Sequence, residues 1–208
     1  GPGQIQITGG RSGISAYQTD MNSNTWVVNN DANYEVVWGS AYFNPSVFVL
    51  QDSSITGNGG NVAGIPNKID LNGATRTVAS DSNPNATPYT AGSHNGGRLG
   101  GVIRNSSGTA GLIKTGIGHF ELAGANTFNG PVTIEQGTLG ITSSANVGVA
   151  NPLGMSSAAA ANLLLANGTT LKYTGGTAST DRSFTINGTA AGDSATIDAS
   201  GSGVVTFA

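Results

Sequence analysis

From Lys114 to Leu139 the chain reads KTGIGHFELAGANTFNGPVTIEQGTL. Two short stretches within it alternate in polarity: Phe120 and Leu122 against His119 and Glu121, then Val132 and Ile134 against Thr133 and Glu135. A strand sends successive side chains to opposite faces, so this period of two predicts strands with one inward face and one face in water. On this reading Phe120, Leu122, Val132 and Ile134 point inward, while His119 and Glu121 are solvated. Gly116, Gly118, Gly124, Gly130 and Gly137 bracket the strands, at corners that need positive φ or close backbone approach.

The same pattern extends in both directions. Ile69 and Leu71 stand against Lys68 and Asp70, and Leu171 and Tyr173 against Lys172. Strands are expected near Thr25 to Asn29, Tyr34 to Trp38, Val47 to Gln51, Lys68 to Leu71, Arg76 to Ala79 and Gly101 to Arg104. Further ones follow near Leu112 to Lys114, His119 to Leu122, Val132 to Glu135, Thr138 to Ile141, Asn162 to Leu165, Thr170 to Tyr173, Ser183 to Ile186, Ala195 to Asp198 and Val204 to Phe207. So many short strands do not fit a simple sandwich of this length. They fit a coiling solenoid, an all-β right-handed parallel β-helix whose inward faces stack rung on rung. The one helical candidate is Ser156 to Leu164, with Ser157 as its cap. Gly57 to Asn67 and Asp81 to Gly97 read as loops, the second carrying two prolines.

Composition points the same way. Only 9% of the 208 residues are charged, against about 25% in ordinary soluble domains. Neutral Asn, Ser and Thr must therefore supply the solubility, which suits turns and outward strand positions. A net charge of -3 with scattered Lys and Arg offers no footprint for nucleic acid or anionic lipid. Cysteine is absent, so disulfides and thiol chemistry are excluded. No apolar run is long enough to insert this segment in a membrane, and any export signal or anchor is expected outside it. Residues 1–3 read as the remnant of an expression tag, leaving 4–208 as a single β-helical unit.

The stretch at 114–139 resembles the autotransporter-associated β-strand repeat, also called the passenger-associated transport repeat. The matching positions are Lys114, Gly116, Gly118, Leu122, Gly124, Asn126, Thr127, Gly130, Thr133, Ile134, Gly137, Thr138 and Leu139. Phe128 stands where Tyr is usual, and Pro131-Val132 replace a small or hydroxyl-bearing pair. Lys68 to Val78 and Trp38 to Gln51 resemble, more loosely, what precedes this motif in multi-copy members. The resemblance implies a β-helical stem, exported or displayed on the bacterial surface, which holds other regions away from the cell or builds a matrix. It implies neighbouring repeats of the same protein as partners, and no cofactor.

Three functional readings follow. The first is a non-catalytic structural module, a stalk or matrix segment. The second is an adhesin-type module that binds a glycan or a surface protein through the loop at Asp81 to Gly97 or the aromatic-rich start, with Tyr42 and Phe43, beside Pro45, as candidate glycan contacts. Seven of the thirteen aromatic residues precede residue 50, and the parity of Tyr34 and Trp38 with Val36 predicts that both close one end of the core. The third is a polysaccharide-acting enzyme, for which Asp181, Arg182, Asp193 and Asp198 are the nearest approach to a cluster. Adjacent Asp181 and Arg182 would face opposite ways. His94 and His119 have no second ligand at metal spacing, so neither predicts a metal site.

Overall fold

The computed structural model describes residues 5–16, 24–52, 62–81 and 96–208. Within them the chain winds as a parallel β-helix. Two sheets of seven strands take alternate strands from the sequence, so that strands adjacent in a sheet are never adjacent in the chain. The first sheet runs through Arg11–Ile14, Val47–Leu50, Arg76–Ala79, Leu112–Thr115, Val132–Ile134, Leu163–Ala166 and Thr185–Asn187. The second runs through Asn24–Thr25, Val62–Ile65, Gly96–Leu99, His119–Leu122, Thr138–Ile141, Thr170–Tyr173 and Thr196–Asp198. A third, of Glu35–Val37, Lys68–Asp70 and Ile103–Arg104, closes the first turns of the coil. Every neighbouring pair is parallel, as a coil that always turns the same way requires.

Register turns the alternating pattern into a core. On the first sheet Phe48 stacks on Val78, Val78 on Lys114, Lys114 on Ile134 and Ile134 on Leu165, all of them buried. On the second, Phe120, Leu139 and Leu171 form one inward row, and Leu99, Leu122, Ile141 and Tyr173 another. Trp38, Phe43 and Phe48 fill the first turns edge to face, with ring centroids 4.9 to 5.9 Å apart. Trp38 Nε1 donates to the Pro45 carbonyl at 3.0 Å, so its one polar atom is satisfied in the core.

Several expectations are corrected. His119 and Glu121 are buried, because His119–Leu122 is covered on both faces. The His119 ring lies over Gly140, where a Cβ would come within 2.7 Å of it, and Glu121 pairs with Arg98 at 2.9 Å. Asp70, expected in water, is buried beside Arg104. Val62–Ile65 and Gly96–Leu99 are strands where loops were expected. Sheets covered on both faces lose the alternation that marks a strand. Their glycines also have a packing reason: a Cβ on Gly96 would sit 2.1 Å from the His119 carbonyl oxygen. The expected helix at Ser156 to Leu164 is a single 3₁₀ turn, Ala160–Asn162, and its chain then enters the strand Leu163–Ala166. Ser157 does not cap it; the Asn162 side chain donates to the Ser157 hydroxyl and carbonyl instead. The parts of the expected loops at 57–61 and 82–95, and Tyr17 and His94, lie outside the described residues.

Leu122 and Ile134 are fully buried in different sheets. Leu122→Ala or Ile134→Ala should each cost roughly 2 to 5 kcal/mol through lost burial and a residual cavity. Denaturant unfolding measures this, and unchanged midpoints for both would mean that the inward rows are misassigned.

Candidate functional site

The recognised motif forms one turn of the coil and the corner that leads into the next. Leu122, Ile134 and Leu139 supply its core. Thr133 and Thr138 are half-buried at outward positions, and Thr127 is exposed while its N–H donates to the Ile103 carbonyl at 2.8 Å. Gly116 and Gly137 occupy equivalent corners at φ +78 and +66, where only glycine is unstrained. A Cβ on Gly137 would lie 2.6 Å from the Gly116 carbonyl oxygen, so the lower corner leaves no room for one above it. Gly124 and Gly130 press as closely on Gly101 and Ala110.

Two buried polar side chains complete the motif. Asn126 Oδ1 accepts from the Ile103 N–H at 2.8 Å, and Nδ2 donates to the Pro152 carbonyl at 2.9 Å, so one amide ties three segments. Asn67 does the same one face away: Oδ1 accepts from Val28 N–H at 2.7 Å, and Nδ2 donates to the carbonyls of Val28, Asp31 and Tyr34. Lys114 points inward in the row otherwise filled by Phe48, Val78, Ile134 and Leu165. Its Nζ donates to the carbonyls of Gly116 at 2.5 Å, Gly118 at 2.6 Å and Gln136 at 2.9 Å. Burial pulls the ammonium down to about 7, Asp81 opposing that pull and Arg11 adding to it. The three carbonyls act in the opposite sense to burial, because only the protonated amine donates to all three. The sequence carried the signal: Lys114 shares the parity of inward Leu112.

The four charged residues considered for catalysis are not brought together as a reactive set. Asp181 accepts from the Val147 N–H at 2.8 Å, and Arg182 is buried, donating to Ser156 Oγ and the Gly154 carbonyl. Asp193 closes its own turn through Thr189 and Ala190, and Asp198 pairs with Lys172 at 2.7 Å. Among the described residues no group of His, Asp or Glu has the arrangement to hold a metal.

The aromatic start divides. Phe43 is buried against Trp38 and Phe48, whereas Tyr42 is 38% exposed. Tyr34, expected inside with Trp38, is 46% exposed. With Trp26, Val27 and Val28, these tyrosines line an open apolar cavity of about 730 Å³ at the first turns of the coil, floored by Ile7, Ile14, Val36 and Phe43. Asn30 and Ser40 are its polar wall.

These features define a parallel β-helical repeat module held together by inward stacks and buried corner hydrogen bonds. Residues 112–141 match the model of the passenger-associated-transport-repeat, so the chain carries the autotransporter passenger repeat there. A stretch of 103 residues, 49% of the chain, is 43% identical to the adhesin BmaC autotransporter of Brucella suis biovar 1 (strain 1330). That stretch spans 3% of the adhesin's length. No solved structure matches the chain.

Two outcomes follow from the site's geometry. Gly137→Ala should destabilise the coil, combining strain at positive φ with a backbone clash, whereas Gly176→Ala, with open space around it, should leave the thermal midpoint nearly unchanged. Asp70 supplies a pH dependence. Burial raises its carboxyl, but hydrogen bonds from Asn72 and Ser106 and the charge of Arg104 outweigh that and hold it below the ordinary value of 3.8. A depressed carboxylate contributes stability above its unfolded value, and that contribution disappears as pH falls through the folded one. Unfolding midpoints should therefore drop below about pH 4, and Asp70→Asn should flatten the drop.

Proposed function

We propose that the chain is part of a surface-displayed, adhesin-type autotransporter passenger, located at the bacterial cell surface or outside the cell. We propose that within such a protein it acts as a non-catalytic structural module, a rigid stalk or matrix segment that uses no cofactor. The observation that carries this reading is the continuous inward stack, turn upon turn from Phe48 to Leu165 on one sheet and from Phe120 to Leu171 on the other. Such a core stiffens the long axis and leaves outward positions free to vary. Charged groups support it too, since Arg104 joins Glu35 and Asp70, and Lys172 joins Asp198, across turns of the coil.

The proposed partners are neighbouring repeats. Thr185–Asn187, Thr196–Asp198 and Val205–Phe207 each have one sheet neighbour among the described residues. Val204, Ile186 and Phe207 are exposed beside those open edges, which another coil would cover by continuing the ladder.

A second reading, a binding module for a glycan or surface protein, is favoured by Trp26, Tyr34 and Tyr42 around the open cavity, since exposed aromatic faces stack on sugar rings. A polysaccharide-acting enzyme is the third. The structural reading expects no retained ligand on a glycan array and no new reducing or unsaturated ends from candidate polymers. Glycan binding lost in Trp26→Ala and Tyr42→Ala would replace it with the second reading. Turnover lost in Asp198→Asn would replace it with the third.

A further inference from the structure

Lys114 occupies a position that its row would fill with an aliphatic side chain. Above and below it in register stand Val78 and Ile134, both buried, and Lys114 itself is 1% exposed. A cation there has to replace its water shell with protein oxygens. The corner provides them: Gly116 turns at positive φ, and the Gly116 and Gly118 carbonyls come from Lys114's own turn while Gln136 comes from the next. The Gln136 side chain also accepts from the Gly116 N–H at 3.1 Å, fixing one turn against the other. Three acceptors for three N–H donors make a complete shell. Asp81, ion-paired with Arg11, also acts on this corner.

We infer that the Gly116, Gly118 and Gln136 carbonyls form a cage for a primary ammonium group, that Lys114 is its tethered occupant, and that the cage, once emptied, takes a free small alkylammonium ion. Packing alone makes the opposite forecast. Replacing a buried charge with an apolar side chain of similar volume is often neutral or stabilising, whereas leaving a buried carbonyl without a donor is costly, and Lys114→Met would do this at Gly116, while Gly118 keeps the Thr138 N–H at 3.3 Å. The cage therefore decides the sign of Lys114→Met.

The first measurement is the thermal midpoint of Lys114→Met and Lys114→Ala beside the unaltered protein. Both should melt lower, by roughly 5 °C or more in a domain of this size. n-Propylammonium chloride, which matches the side chain missing from Lys114→Ala, should raise that variant's midpoint in a saturable way. It should do so neither for Lys114→Met, whose side chain blocks the space, nor for the unaltered protein. Equal concentrations of tetramethylammonium chloride or n-propanol should not reproduce the gain, since one lacks N–H donors and the other lacks charge. Should both variants fail to fold, the unaltered protein still decides the matter by nitrogen-15 NMR of its three lysines. Lys114 alone should then show a protonated Nζ whose hydrogens exchange slowly at mildly acidic pH. A Lys114→Met as stable as the parent, a propylammonium effect no larger than that of tetramethylammonium, or a rapidly exchanging Lys114 amine would each overturn the cage.

Discussion

Neighbouring strands in a sheet stand about 4.8 Å apart, and in a coil that spacing fixes where everything else goes. Each inward side chain meets the equivalent residue one turn above and one below, so a row accepts only shapes that stack on one another. Phe48, Val78, Ile134 and Leu165 meet that demand on the first sheet, and Phe120, Leu139 and Leu171 on the second. Corners obey the same spacing. The backbone at Gly137 runs so close above Gly116 that a methyl group has no room, and Gly130 bears in the same way on Ala110. Glycine at these places answers a contact between turns as much as a local dihedral.

The narrow interior also decides how polar backbone is satisfied. A corner that leaves a sheet gives up its ladder hydrogen bonds while still shielded from water, which is expensive without a partner. Asn67, Asn126 and Asn151 meet this need with an amide that accepts at one oxygen and donates from one nitrogen. Asn151 Nδ2 donates to Val149 and Gly154 while its Oδ1 accepts from the Leu153 N–H, so a long excursion between turns is held against Asn126 without a regular element. Arg182 performs the same task from the other side, reaching Gly154 and Ser156. An unusually low content of charge thus coexists with a coil in which several of the charges present are buried and engaged.

The alternation between Leu112 and Ile141 was legible because those strands carry large apolar residues at every second position. Val62–Ile65 and Gly96–Leu99 were not, since both faces of that sheet are covered there and a flat surface of Gly64, Gly96 and Gly140 replaces the polar side. Burial on two sides likewise took His119 and Glu121 out of water, against a pattern that spoke only for one face. The Ala-rich stretch after Ser156 misled differently. Its local preference for helix is weak, and pairing of Leu163 and Leu165 with Val132 and Ile134 outweighs it. Of the aromatic start, parity found Trp38, which is buried one residue after the strand Glu35–Val37, but not Tyr34, which is exposed one residue before it and lines the open cavity. The corner asparagines have no periodic signature, so only a resemblance to a known repeat marked Asn126 in advance.

Inward rows of interchangeable aliphatic residues have a weakness of their own. Val78, Ile134 and Leu165 bury much the same surface, so a coil paired one turn out of place would lose little of the hydrophobic energy that holds the correct one. Lys114 breaks that degeneracy. Its ammonium is satisfied where the Gly116, Gly118 and Gln136 carbonyls converge, and since Gly116 and Gly118 belong to its own turn, a displaced neighbour would take away the Gln136 carbonyl and leave a buried cation one acceptor short. Asn126 works in the same direction, since its two bonds reach Ile103 one turn back and Pro152 in the excursion ahead. Polar groups in this core therefore contribute less to the depth of the folded state than to the gap separating it from its own misregistered copies. A stack of near-identical turns depends on that gap more than a globular domain does, because its competing structures are so nearly itself.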